Sequence, residues 1–289
     1  MPEFLSMVLN QTGSAAPEVV SQMAGVWRSA NDHVKELERD EAGLCDGPPI
    51  GELSAKLKAL EREVLVDPIF RRAFSVLPTR IGMVDLDRLV VFQKDINLEA
   101  VRDQKRALPS PLSEEDLFRL CLPADHPHPD VHAIRLPAQV PAFSFVSPST
   151  DFRVLDVTVL EGNPIQGAHF GGPVTHVLVA AVGYGPNFLQ AVHCENRLVL
   201  SNGSHRAYLL RELGFKQVPC LVQEASRREE LDAIGGALAQ NPDLYLKASR
   251  PPLLKDYFDE KLRVIVRLPK KARQVRLMVQ PEQSDVPSN

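Results

Sequence analysis

The sequence predicts a mixed α/β protein, and three observations carry that reading. Residues 198–222 run as an apolar strand, a glycine turn, a helix, a glycine stop and a second strand. Before residue 78, apolar residues recur at helical spacing. Between residues 152 and 200, alternating or β-branched stretches are separated by Gly, Pro and Asn, as strands and their turns require.

From the N-terminus, Pro17 to Leu37 carries Val19, Val20, Met23, Val26, Trp27, Ala30 and Val34 at i, i+3, i+4 spacings. That is an amphipathic helix. Gly47-Pro48-Pro49 breaks the pattern. Glu52 to Leu65 predicts a second helix, with Leu53, Leu57, Leu60 and Val64 on one stripe. Asp67-Pro68 ends it, and Pro68 is suited to start a short helix around Ile69 to Val76. Ile81 to Phe92 reads as a strand with a turn inside it, and Leu98 to Arg106 as a short helix. Residues 107–150 lack regular signals and are punctuated by prolines from Pro109 to Pro148. So long a loop in a compact domain is often functional. Phe152 to Leu160 alternates as a strand does, Glu161 to Gly172 is a glycine-containing loop, and Val174 to Val182 is strongly β-like. Asn187 to Val192 and Arg197 to Leu200 continue the sheet around a turn at Glu195-Asn196. Ser226 to Ala239 predicts a helix through Leu231, Ile234 and Leu238, stopped by Asn241-Pro242. Leu262 to Leu268 alternates as a strand, Lys270 to Arg276 is basic, and residues 281–289 are polar and expected to be disordered.

Composition narrows the function classes. A chain of 289 residues holds one large or two small domains, and 44% hydrophobic residues suffice for a core. A net charge of −4 and a pI near 6.1 argue against a dedicated nucleic-acid binder. The only basic run, Lys255 to Arg276, is diluted by Asp256, Asp259 and Glu260, so no specific DNA binding is expected. Cys45, Cys121, Cys194 and Cys220 are widely spaced with no C-x-x-C pair, which fits reduced, buried thiols in the cytoplasm. Met1 to Asn10 has no signal-peptide character, and no apolar run reaches membrane-spanning length.

The turn Asn202-Gly203-Ser204-His205-Arg206 is the feature most open to chemistry. It opens the helix Ala207 to Leu213, whose Leu209, Leu210 and Leu213 share a face and whose end is marked by Gly214. A helix N-terminus presents unpaired N–H groups and a positive dipole end, which suits a phosphate. Gly203 permits close backbone approach, and Ser204 can cap the helix or touch a phosphate oxygen. His205 can donate or move a proton, and Arg206 can pair with phosphate as a bidentate donor. The competing reading is a plain turn with a serine cap.

Gly203-Ser204-His205-Arg206, the helix end Arg211-Glu212-Leu213-Gly214 and the strand start Val218-Pro219 resemble the ParB/sulfiredoxin superfamily. Val84-Asp85-Leu86-Asp87-Arg88-Leu89 followed by Gln93 is similar to that domain's first strand and polar loop. The resemblance implies a ParB/sulfiredoxin-like mixed sheet core over 79–224 with a Pro-rich insertion at 107–150. A helical region at 1–78 precedes it, an α/β extension at 225–280 follows, and a tail at 281–289 ends the chain. It implies a nucleoside triphosphate, ATP or CTP with Mg²⁺, held by Asn202, Gly203, Ser204, His205 and Arg206. His205, Asp95 and Gln93 are then the catalytic candidates, with hydrolysis or phosphoryl transfer as the chemistry.

The departures from the family patterns matter. Ser204 stands where sulfiredoxin keeps its cysteine, so sulfinic-acid reduction is not expected. Asn202 stands where the free-serine kinases carry aspartate, and Gln93 near their glutamate, with Asp95 two residues on. A small-molecule kinase therefore remains an alternative. The 67 residues after Val222 do not read as the helix–turn–helix pair of ParB. A second alternative is a non-catalytic adaptor that binds a protein partner through residues 1–78. Self-association is compatible with the sequence, and the oligomeric state is left open.

Other candidates have plainer explanations. Asp125-His126-Pro127-His128-Pro129-Asp130-Val131-His132 has ligand types for Zn²⁺, but prolines deny it helical ligand spacing, so no metal site is expected. Gly162-Asn163-Pro164 with His169 to Pro173 reads as a connection between strands or a closing loop. His176 and His193 fall in strand patterns, and Tyr184 sits in a Gly-Tyr-Gly-Pro turn where it could stack on a base.

Overall fold

In the computed structural model the described residues are 17–286, apart from 150, 163, 166, 168, 169, 234, 235, 268, 269 and 271. In chain order the elements are α1 (Pro17–Asp40), α2 (Lys58–Val66), α3 (Pro68–Ala73), β1 (Thr79–Asp85), β2 (Val90–Val91), α4 (Leu98–Ala107) and α5 (Glu114–Cys121). Then follow β3 (His132–Leu136), β4 (Ala142–Ser147), β5 (Phe152–Glu161), β6 (His176–Tyr184), β7 (Gln190–Cys194), β8 (Arg197–Asn202), α6 (Ser204–Glu212) and β9 (Gln217–Glu224). The last are α7 (Gly236–Gln240), α8 (Pro242–Leu246) and β10 (Arg273–Met278). The architecture is mixed α/β, as the sequence predicts.

The chain divides into two compact units, Met1–Asp125 with Pro186–Leu268, and His126–Gly185 with Pro269–Asn289. These limits differ from the expected domain boundaries. The N-terminal helices and most of the segment after residue 225 belong to the same unit as the five-stranded sheet. The reason is shared burial: Leu57, Leu60, Val64 and Phe70 enter one core with Val84, Leu200, Leu210 and Leu221.

In the first unit the sheet runs β1-β9-β7-β8-β2. β1 is antiparallel to β9, β9 parallel to β7, β7 antiparallel to β8, and β8 parallel to β2. Successive residues of a strand point to opposite faces. Accordingly Val91, Ala191, Leu198 and Leu200 join one core, while Val90, Val192 and Val199 join another with Leu231, Leu238, Tyr245 and Leu246. The β7–β8 turn falls at Glu195 and Asn196, both at positive φ, as expected from its position in the sequence.

Local chemistry sets the helix starts. Asp67 accepts from the Ile69 N–H at 2.7 Å and Pro68 takes the first helical position of α3. Asn97 caps α4 by accepting from Glu99 and Ala100. Ser113 and Asp116 form a capping box on α5. That box lies in the stretch expected to be irregular. Residues 107–150 in fact contain α5, β3 and β4, because the prolines flank these elements instead of interrupting them. Leu117, Phe118 and Cys121 of α5 are core residues.

Two more expectations change. The helix expected over Ser226 to Ala239 is broken into a 3₁₀ turn at Arg228–Ala233 and α7. Asn241-Pro242 then opens α8, with proline at its start. Residues 263–267, expected as a strand, carry no regular structure; Ile265 is exposed and finds no sheet neighbour. The late strand is β10, which pairs with β4. Residues 281–286 have no regular structure, and the end of the expected tail lies outside the described residues.

The second unit holds a three-stranded sheet, β10-β4-β3, and a two-stranded sheet, β5-β6. The strands predicted at Phe152 to Leu160 and Val174 to Val182 thus pair with each other and not with the five-stranded sheet.

Candidate functional site

The predicted strand–turn–helix–strand of residues 198–222 is present as β8, α6 and β9. Gly203 occupies the N-cap of α6 at φ 89°. A Cβ there would lie 2.8 Å from Leu189 Cδ1 and 3.2 Å from Leu189 Cα. Glycine is therefore needed for a left-handed backbone packed against Leu189. Gly214, at φ 90°, ends the helix.

Ser204 is the first helical residue and not the cap, and no side chain caps α6. The first intrahelical bond runs from Ala207 N–H to Gly203 O at 2.8 Å. The N–H groups of Ser204, His205 and Arg206 are thus the first-turn donors that helix geometry leaves without an intrahelical acceptor. The Asn202 side chain braces the turn: its Oδ1 accepts from Gly203 N–H at 2.9 Å and its Nδ2 donates to Pro186 O at 3.0 Å.

Arg206 departs most from its expected role. It is 5% exposed. Its Nη1 donates to Cys121 O (3.0 Å) and Asn187 O (3.2 Å), and its Nη2 to Asn187 Oδ1 (2.6 Å). The guanidinium is committed to the end of α5 and the strand entry at 187. It organises the turn instead of reaching out to a phosphate.

His205 and the loop before α4 come together across 108 residues of sequence. His205 Nε2 accepts from Asn97 N–H at 2.9 Å. A neutral ring that accepts at Nε2 carries its proton on Nδ1. Burial lowers the His205 pKa, and the nearby charge of Asp95 partly opposes this. The ring is therefore neutral at pH 7. Asp95 in turn accepts from Gln93 Nε2 at 3.0 Å. The Tyr257 hydroxyl donates to Gln93 O and pins this loop. Burial, with Asp95 and Asp256 adding, raises the Tyr257 pKa, so the hydroxyl stays a donor. The three catalytic candidates, Gln93, Asp95 and His205, thus share one neighbourhood at the N-terminus of α6.

Asn97, Asn187 and Tyr257 were not among the expected site residues. Asn97 had a readable signal, since asparagine before a helical pattern is a favoured cap. Asn187 and Tyr257 had none, because each acts through a long-range contact.

The other candidates serve local structure. His128 stacks on Tyr184 with ring centroids 5.1 Å apart. The Tyr184 hydroxyl lies 2.8 Å from Ser147 Oγ and donates to Pro129 O at 2.9 Å, which places this ring in its own unit's packing. His193 Nδ1 lies 2.6 Å from Glu224, which also pairs with Arg80. His176 is exposed on β6, and His132 on β3. Asn163 and His169 lie outside the described residues. Among the described residues no group of three or more His, Cys, Asp or Glu side chains is placed to hold a metal ion, and no helix is long and apolar enough to cross a membrane. All four cysteines are free and buried. Burial pushes the Cys121 thiol up to about 12 and raises that of Cys220 well above its ordinary value.

Comparison of the chain with protein-family models, curated proteins and solved structures finds no match in any of the three.

Proposed function

We propose that the five-stranded unit is a ParB/sulfiredoxin-like nucleotide-binding module that holds the phosphates of ATP or CTP on the first turn of α6. One observation carries this reading. The uncapped N-terminus of α6 and the N-terminus of α4 converge at the Asn97–His205 hydrogen bond. The start of α4 is already capped by Asn97, so the open positive dipole end there is that of α6. The amides of Ser204 and His205, the Ser204 hydroxyl and the His205 Nδ1–H are the donors available to phosphate oxygens. Asp95 is the carboxylate that would share a Mg²⁺ ion with those phosphates, since Mg²⁺ is commonly held by one or two carboxylates plus the substrate. Arg206, in this reading, fixes the turn from behind.

Phosphoryl chemistry at this place would rest on His205 and Asp95. The neutral His205 ring, its Nε2 lone pair taken by the Asn97 N–H, would act through its Nδ1–H as a hydrogen-bond donor to the transferring group. The serine-kinase alternative loses the carboxylate at Asn202, whose amide is already spent on the turn.

The test is thermal shift and titration calorimetry with ATP and CTP, with and without Mg²⁺, on the wild type and on Ser204→Asp. A carboxylate on the first turn favours the helix by about 0.3–1 kcal/mol but repels phosphate. The expected result is a stabilising nucleotide shift in the wild type and its loss in a variant at least as stable without ligand. No shift with any nucleotide at millimolar concentration would reject the module reading.

A second reading, an adaptor that binds a partner through the N-terminal helices, draws on α1. None of its 24 residues is fully buried, although its apolar stripe runs from Val19 to Leu37.

A further inference from the structure

His33 lies on α1 with both ring nitrogens against carboxylates. Its Nδ1 is 3.1 Å from Glu36 Oε2 on the same helix. Its Nε2 is 2.8 Å from Asp259 Oδ2, which lies 226 residues away. The side chain is 15% exposed. A neutral imidazole has one N–H and can donate to only one of these oxygens; the other nitrogen would turn a lone pair toward a carboxylate. Only the imidazolium satisfies both contacts.

This pair also matters for how α1 is held. Among the described residues, His33–Asp259 is the only side-chain polar tie between α1 and the rest of its unit. Just past the helix end, Glu41 is gripped by Arg250 at 3.0 Å and Lys255 at 2.6 Å. The C-terminal end of α1 is thus anchored independently, and among the described residues His33 is the one polar side-chain clasp along its length.

We propose that His33 is a pH-operated latch: protonated, it clasps α1 to the turn at Asp259 through a charged pair with both carboxylates satisfied, and deprotonated, it keeps at most one neutral hydrogen bond and lets the N-terminal part of α1 loosen about its anchored end.

The groups facing the ring set the direction. Glu36 on α1 and Asp259 on the turn favour the imidazolium, in that order, while burial and the Lys261 charge oppose it; the balance raises the His33 pKa. Arg39 and Lys261 also act on Glu36 and help hold its carboxyl ionised. Asp259 stays ionised despite burial, through the Lys261 N–H and His33. For a histidine with a raised folded-state pKa, the clasp is fully present below the ordinary value of about 6.5. It is lost as pH rises through the raised value. The latch therefore opens on the alkaline side, within the range where a perturbed histidine titrates. This inference does not depend on nucleotide binding.

The chain's only tryptophan, Trp27, sits on α1 and reports on it directly. The experiment follows Trp27 emission from about pH 5.5 to 8.5, together with the NMR titration of the His33 ring. In the wild type, emission is expected to shift in one one-proton step at the ring's own midpoint, above the ordinary histidine value. Asp259→Asn should lower that midpoint, and His33→Gln, whose amide can still donate to Asp259, should abolish the step. Emission that stays flat in the wild type, a step that survives in His33→Gln, or a ring midpoint at or below the ordinary value would each overturn the latch.

Discussion

Replacing Arg206 separates a structural clasp from a ligand-binding residue. If the guanidinium were a free phosphate ligand, Arg206→Ala would leave the unliganded protein nearly as stable as the wild type. The structure predicts otherwise. Three hydrogen bonds, to Cys121 O, Asn187 O and Asn187 Oδ1, join α6 to α5 and to the segment that leads into β7. Truncation removes all three, each a bond to a charged donor worth about 1.5–3 kcal/mol, although Cys121 O keeps the Leu189 N–H and exposed Asn187 regains water. It also opens a cavity in a site where Arg206 is 5% exposed. With some acceptors regaining water, the net loss is roughly 3–5 kcal/mol. In a unit of this size each kcal/mol lowers Tm by about 2–4 °C, so the fall should be on the order of 10 °C. Differential scanning calorimetry of the unliganded protein measures it. Arg206→Lys should fall between the two, since one ammonium cannot reproduce the fork. An unliganded Tm within about 2 °C of wild type for Arg206→Ala would refute the clasp and return Arg206 to the phosphate site.

Two further predictions test the same region. Gly203→Ala should destabilise by about 2–4 kcal/mol in urea titration, because it combines a positive φ with a Cβ driven into Leu189; a loss below about 0.5 kcal/mol would mean that the turn relaxes freely. Maleimide labelling of the native protein should leave Cys121 and Cys220 unmodified while urea-unfolded chains label fully, since buried thiols with raised pKa values supply little thiolate; rapid native labelling of either would contradict their burial.

Much of the fold was legible because it is written in short-range patterns. The strand–turn–helix–strand around Gly203 needed only an apolar run, two glycines and one helical stripe, all within 25 residues. Asn97, Asp67 and Ser113 act on N–H groups two or three residues away, so their helix starts are local facts. The capping box at Ser113 was present in the sequence, but the prolines on either side concealed it. The alternation in residues 262–268 misled because a strand also needs a neighbour, and pairing is a property of distant chain.

The sequence alone determined that this is a mixed α/β chain with a glycine-opened helix at residue 204 and four thiols suited to burial. These follow from periodicity, φ preference and hydrophobicity, which a residue carries with it. Only the tertiary structure decided that Arg206 faces inward, that Asp95 and Asn97 meet His205, and that β5 and β6 pair apart from the main sheet. It also decided that His33 sits between two carboxylates. Hydrogen-bond partners and burial depend on which distant segments pack together, and two side chains of the same type can then become a buried clasp and an exposed charge.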